Sequence, residues 1–335
     1  EVRVMLKDLK PYFNAERTCM ENLFISLIQK YGNVEKLYLY AWNFGYLNKK
    51  NINFGERIMP SREGEGLNKE IEKALQEFFG IRVIWHLNYA KNAIKVIKDE
   101  LERGRPVIIG IDIFECEWHK VFQKYHSVHY CLVIGVTNEE LVCIDDTLAS
   151  CNGNLRLVHR PEYITIPFQK YLQYGFGLVT LEISDNRRNP ENSLYKSALK
   201  TLTGFRGVTD FDQMRQLRAD IVTEFDIKKE INGFEDAWAL DIVRALGYIV
   251  WNRKNFLTAQ KIFSRETENI YMYCKKMESI IIKWENIKNY ILKYALENSK
   301  NAFDINYIAT TLDKIIYEEE SLAISIVDEY EAKND

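Results

Sequence analysis

The 335-residue chain is 47% hydrophobic and 13% aromatic with a formal net charge of −3, which is ample for a large core and, at usual domain sizes, suggests two domains. The near-balanced charge, without a basic run interleaved with aromatics, argues against nucleic acid, and no apolar run is long enough to span a bilayer. Cysteines at 19, 116, 131, 143, 151 and 274 form no CxxC and no regular framework; with no signal peptide at the start of the given chain, they read as reduced thiols of a cytoplasmic protein.

Glu1 to Phe13 is expected to form a short strand or arm. A helix then runs from Cys19 to about Lys30, where Tyr31-Gly32-Asn33 breaks it. Thr18 is a plausible N-cap with Glu21 at capping-box spacing, which places Cys19 in the first turn. Backbone N–H groups and the macrodipole at that end favour a thiolate, the reactive form. Taken alone, a free cysteine is more often a small core hydrophobe. Further helix is expected over Val34 to Asn43, a loop-rich passage to Gly55, and turn chemistry in the MPSREGEG stretch between Ile58 and Leu67. Leu67 to Phe79 is amphipathic at helical spacing, Ile81 to His86 reads as a strand, and Ala90 to Glu102 is a second helix ending at Gly104. His86 is read as a strand-end histidine. Pro106 introduces the strand Val107 to Ile113, expected at the centre of the sheet. The aromatic and charged segment Phe114 to Tyr125 is a candidate rim for a substrate channel. Cys116 and His119 lack the second ligand pair that zinc needs, so no metal is expected there.

The stretch His126 to Asp146 organises the chain. Tyr130 to Val136 and Leu141 to Ile144 are strand-forming, and Thr137-Asn138-Glu139-Glu140 is turn chemistry, so the segment is a β-hairpin. His129 opens one strand and Asp145-Asp146 close the other, which supplies the base and orienter of a nucleophilic triad. Side-chain parity decides which acid faces His129: an odd-numbered loop selects Asp145, an even-numbered one Asp146. The sequence leaves that parity open. His129 is preferred to His126, which precedes the strand in a looser polar segment.

After the hairpin, Thr147 to Asn154 is a polar loop. Leu155 to Val158, Tyr163 to Ile166 and Leu178 to Ile183 are strands, and Pro167 to Gln173 is a short helix. Ser184 to Pro190 is the expected domain boundary, separating residues 1–185 from 190–335. Beyond it Leu194 to Leu202, Asp210 to Thr223, Phe234 to Val250, Phe256 to Ser299 with a break, and Ile305 to Glu331 are helical by spacing. Gly204-Phe205-Arg206-Gly207 is read as a helix connector. The expected class is α+β, with a helical C-terminal domain.

A cysteine opening an N-terminal helix, a histidine opening a strand and an aspartate closing the next strand is the order found in papain-like enzymes. Pro106 to Asp112, Trp118-His119 to Tyr125-His126, and His129 to Gly135 resemble a narrower group. That group is the bacteriocin-leader-peptidase-like domain of the butirosin-pathway acyltransferase and its relatives in natural-product clusters. The resemblance covers about Tyr12 to Ile183, and it implies a papain-like fold with an N-terminal helix packed on an antiparallel sheet. It also implies a cysteine that takes an acyl group from the phosphopantetheine thioester of a carrier protein and passes it to a small amine or diamine, with no other cofactor bound. Matching strand residues put the acid at Asp145, with Asp146 where the family usually has proline. The glutamine that precedes the cysteine in papain-like peptidases is missing from Glu1 to Thr18, where Asn14 is the only amide side chain. Asn14 is equally readable as an oxyanion donor or a turn residue. A cysteine peptidase or thioesterase, and a non-catalytic binding protein, are the alternatives.

Overall fold

The computed structural model describes residues 4–59, 61–62, 68–86, 92–148, 163–232, 237–264, 268–297 and 302–334. In chain order the elements are β1 (Val4–Met5), α1 (Cys19–Ile28), β2 (Gly45–Tyr46), α2 (Phe54–Arg57), β3 (Ile58–Met59), α3 (Lys69–Phe79), β4 (Ile81–His86), α4 (Ala93–Glu102), β5 (Val107–Asp112), β6 (Val128–Val136), β7 (Glu140–Ile144), β8 (Ile164–Pro167), α5 (Phe168–Tyr174) and β9 (Gly175–Ile183). Helices follow: α6 (Ser193–Thr203), α7 (Asp210–Glu224), α8 (Ile227–Ile231), α9 (Asp241–Phe263), α10 (Ile270–Leu296) and α11 (Ile305–Asn334). The class is α+β, with antiparallel sheets and a helical C-terminal region. The expected strand Leu155 to Val158, Cys151 and most of the MPSREGEG turn lie outside the described residues, and Val34–Tyr38 is 3₁₀ rather than α-helix. Among the described residues, no helix is long and apolar enough to cross a membrane.

The chain divides into two compact units, residues 1–34 with 79–187 and residues 35–78 with 188–335. The first holds a sheet of order β4-β9-β5-β6-β7-β8, in which β1 also pairs with β6 and every pairing is antiparallel. Strand β5 is buried along its whole length because it lies between β9 and β6 with both faces covered. One face carries Ile109, Ile111, Cys131, Val133 and Cys143, packed in one cluster with Ile97 and Leu101 of α4 and Tyr171 of α5. Helix α1 packs on β6, which carries the cysteine helix to the histidine strand. Helix α4 stops at Gly104, whose φ of +74° suits a residue without a Cβ.

The second unit reaches further back in sequence than the boundary expected near residue 185. Residues 35–78 belong to it because their large apolar groups are completed by helices from beyond residue 188. Trp42 packs on Phe256, Phe44 stacks on Trp284, and Phe54 meets Phe225 edge-on. Hydrogen bonds tie the same segment down: Phe44 N–H donates to Asp210, and Tyr46 donates through N–H to Gln213 and through its hydroxyl to Asp220.

Candidate active site

Cys19 is the first residue of α1 and is partly exposed, whereas Met20 to Ile28 are buried. The capping box fixes this end of the helix. Thr18 Oγ1 accepts from Glu21 N–H at 3.2 Å, and Glu21 Oε2 accepts from Thr18 N–H at 2.9 Å.

His129 is the second residue of β6 and its side chain is only 4% exposed; Nε2 stands 2.6 Å from Asp145 Oδ2. Asp145 is fully buried and saturated with donors. Oδ2 also accepts from Trp118 Nε1 at 2.8 Å and Cys131 Sγ at 3.4 Å, and Oδ1 accepts from Thr147 through N–H at 2.8 Å and hydroxyl at 2.6 Å. Burial alone would raise this acid, but His129 and the other donors hold it well below the usual carboxylate range. For His129 burial works toward the neutral ring. The hydrogen bond to Asp145 and the interaction with Cys19 outweigh it and push the imidazole up to about 10. Cys19 and Asp145 therefore act on one ring. With Nε2 turned to Asp145, Nδ1 is the nitrogen left for the cysteine.

Four residues separate the last strand pair, Val136↔Leu141, an even loop that by simple alternation would put Asp146 on the His129 face. A bulge reverses that. Gly135 pairs with Val142 but Val133 with Cys143, so Ile134 is an extra residue, and Leu132↔Ile144 brings Asp145 opposite Cys131. Residues 129 and 131 share a face. Parity counted from the loop alone therefore misleads, and the bulge selects Asp145.

Asp146 turns to the other partner. Its Oδ2 accepts from Asn22 Nδ2 at 3.0 Å, and burial together with the charge of Asp145 raises it to about 6. Asn22 lies three residues after Cys19, and its Oδ1 accepts from Asn14 N–H at 3.1 Å. The Asn14 side chain accepts from Glu16 N–H at 2.8 Å, as a turn residue would, and its Nδ2 has no protein partner among the described residues.

His126 stands apart. It is 72% exposed, bonded to Asp112 at 2.7 Å and stacked on Phe114. His86, the strand-end histidine, meets the Thr180 hydroxyl at 2.8 Å. His119 packs against His129 with ring centroids 5.1 Å apart, and burial followed by the His129 charge lowers it. Cys116 is buried against the Asp112 carbonyl, with its thiol pushed up to about 12. The one group of possible metal ligands among the described residues is His129, Cys131 and Asp145, all within 4.8 Å. Direct bonding of His129 to Asp145 and a Cys131 thiol raised by burial fit a hydrogen-bonded cluster better than an ion site. Trp118, Thr147, Asn22 and His119 are additions that sequence periodicity could not assign. Their partners are 27, 2, 124 and 10 positions away in the chain, and only the Asp145-Thr147 pair is local.

The segment with these features is also the one that comparison picks out. Residues 19–147 match the family model described as butirosin biosynthesis protein H, N-terminal. The match opens on Cys19 and closes two residues after Asp145, so it includes His129, Trp118 and Asn22 and leaves out Asn14. No curated protein matches the chain.

Proposed function

We propose that the protein is a cysteine-dependent, amide-forming acyltransferase of natural-product biosynthesis. The observation that carries this reading is the His129 ring, bonded to buried Asp145 on one side and acted on by Cys19 on the other, inside the matched region. In the first half-reaction the Cys19 thiolate attacks the carbonyl carbon of an acyl thioester on a carrier protein's phosphopantetheine arm. A C–S bond to Cys19 forms, the bond to the pantetheine sulfur breaks, and the His129 imidazolium gives its proton to the departing thiolate. In the second, an amine nitrogen attacks the acyl-enzyme, His129 takes the amine proton, and Cys19 leaves as thiolate while the amide departs.

Asp145 keeps the imidazole oriented through both steps. We assign stabilisation of the oxyanion to the backbone N–H of Cys19, with Asn14 Nδ2 as a candidate second donor; such a donor contributes about 3 kcal/mol. A small diamine is the acceptor we place first, on the proposal that the protein acts as the amide synthase of the closthioamide pathway does. A monoamine or amino sugar would follow the butirosin branch. Donor and acceptor both belong to the cytoplasm.

The test supplies a short acyl thioester with and without a diamine and follows amide and free acid. Amide that appears only with both substrates supports the proposal. Equal release of free acid whether or not amine is present would make the protein a thioesterase, and cleavage of peptides without use of thioesters would make it a peptidase.

A further inference from the structure

The second unit contains a cavity of about 170 Å³ whose rim is made of lysines. Lys69 and Lys73 reach it from α3, and Lys196 and Lys200 from α6. Each pair is spaced i, i+4 on one helix face, an arrangement in which like charges repel. Two such pairs converge on one cavity. Lys69 is offset by Glu72 at 3.0 Å. Among the described residues, the other three have no carboxylate within ion-pair distance. Lys73 lies over the Tyr40 ring, Lys196 bonds the Glu191 carbonyl, and Lys200 bonds the Gly204 carbonyl.

The carboxylate in the lining does not cancel them. Glu70 is spent on Arg62 at 2.9 Å and the Ser61 hydroxyl at 3.0 Å, and Arg62 in turn bonds both oxygens of Asp210. Arg62 thus faces two carboxylates, and the four rim lysines with Arg62 against Glu70, Glu72 and Asp210 leave the cavity with two positive charges in excess. Compact ammonium groups with rotatable donors suit a tetrahedral oxyanion approached from several sides. A cavity of about 170 Å³ has room for a phosphate or diphosphate group.

We propose that this cavity binds the phosphate or diphosphate group of a small ligand. The assignment stands on the second unit alone and does not depend on the reading of Cys19. Calorimetric titration of the full chain at low salt, with inorganic pyrophosphate and with pantetheine 4′-phosphate as probes, tests it. One saturable site is expected, and Lys73→Gln and Lys200→Gln should each weaken it about tenfold, whereas Lys314→Gln, the same charge change on exposed α11 surface, should not. Tighter binding of the pantetheine phosphate would assign the site to the phosphate of a larger ligand, and equal or tighter binding of pyrophosphate to a free anion. Absence of saturable binding of either probe to the wild-type protein would overturn the proposal, as would equal weakening by all three variants.

Discussion

Asp145→Asn is the perturbation that the structure makes most exacting. Five donors converge on this carboxylate: His129 Nε2, Trp118 Nε1 and Cys131 on Oδ2, and two from Thr147 on Oδ1. An amide cannot accept at both ends. If its NH₂ replaces Oδ1, it confronts the Thr147 N–H. If it replaces Oδ2, it confronts Trp118 and obliges His129 to present a lone pair at Nε2, which moves the ring proton to Nδ1 and removes the base that Cys19 needs. The corresponding change in serine protease triads costs about 10⁴ in turnover, equivalent to about 5 kcal/mol of barrier, and a loss of 10³ to 10⁴ is expected here. Asp146→Asn should stay within about tenfold of wild type, because an asparagine oxygen can still accept from Asn22 and the lost charge is one that burial and Asp145 already disfavour. The assay is kcat/KM for amide formation at pH 8, with thermal melts to show that both variants fold. A larger loss for Asp146→Asn than for Asp145→Asn would refute the bulge-based assignment of the acid.

Trp118→Phe keeps an aromatic side chain but removes one donor to Asp145, so kcat should fall about tenfold with little change in KM; an unchanged kcat would detach Trp118 from the site. Glu319→Ala should destabilise the second unit by about 3–5 kcal/mol in urea titrations, because it leaves fully buried Arg253 without its anion and the Trp42 and Trp284 indoles without their acceptor. A cost below about 1 kcal/mol would contradict that. The raised His129 sets a pH window for stability. Its contribution is complete below the ordinary value of 6.5 and is lost as pH climbs through about 10, since the folded chain then holds a proton the unfolded chain has released. The stability gap between wild type and His129→Gln should narrow across that range by at most about 1.4 kcal/mol per pH unit, and a gap that widens would reverse the sign of the argument.

Much of the site is legible in sequence where the causes are local. The capping box of Thr18 and Glu21 announces the helix that opens on Cys19, and strand-forming runs on either side of Thr137 to Glu140 announce the hairpin. What escapes the sequence depends on one inserted residue or on distant partners. The only mark the bulge at Ile134 leaves in the sequence is the neighbouring Gly135, which simple alternation ignores, yet the bulge decides which aspartate meets His129. Trp118 and Asn22 look like ordinary rim and helix residues until the fold brings them to Asp145 and Asp146. In the same way the aromatic residues Trp42, Phe44 and Phe54 read as core without revealing which core, and only contacts with α9, α10 and the Phe225 turn assign them to the helical unit.

The central claim is that Cys19 carries the acyl group between donor and acceptor. Intact-mass analysis after incubation with a short acyl thioester, followed by peptide mapping, tests it directly. The account predicts a single acyl adduct on Cys19 that persists without amine, disappears when a diamine is added, and does not form in Cys19→Ala or His129→Ala, while Cys116→Ala and Cys274→Ala behave as wild type. Amide formation by a folded Cys19→Ala variant, or an adduct mapped to another cysteine, would contradict it.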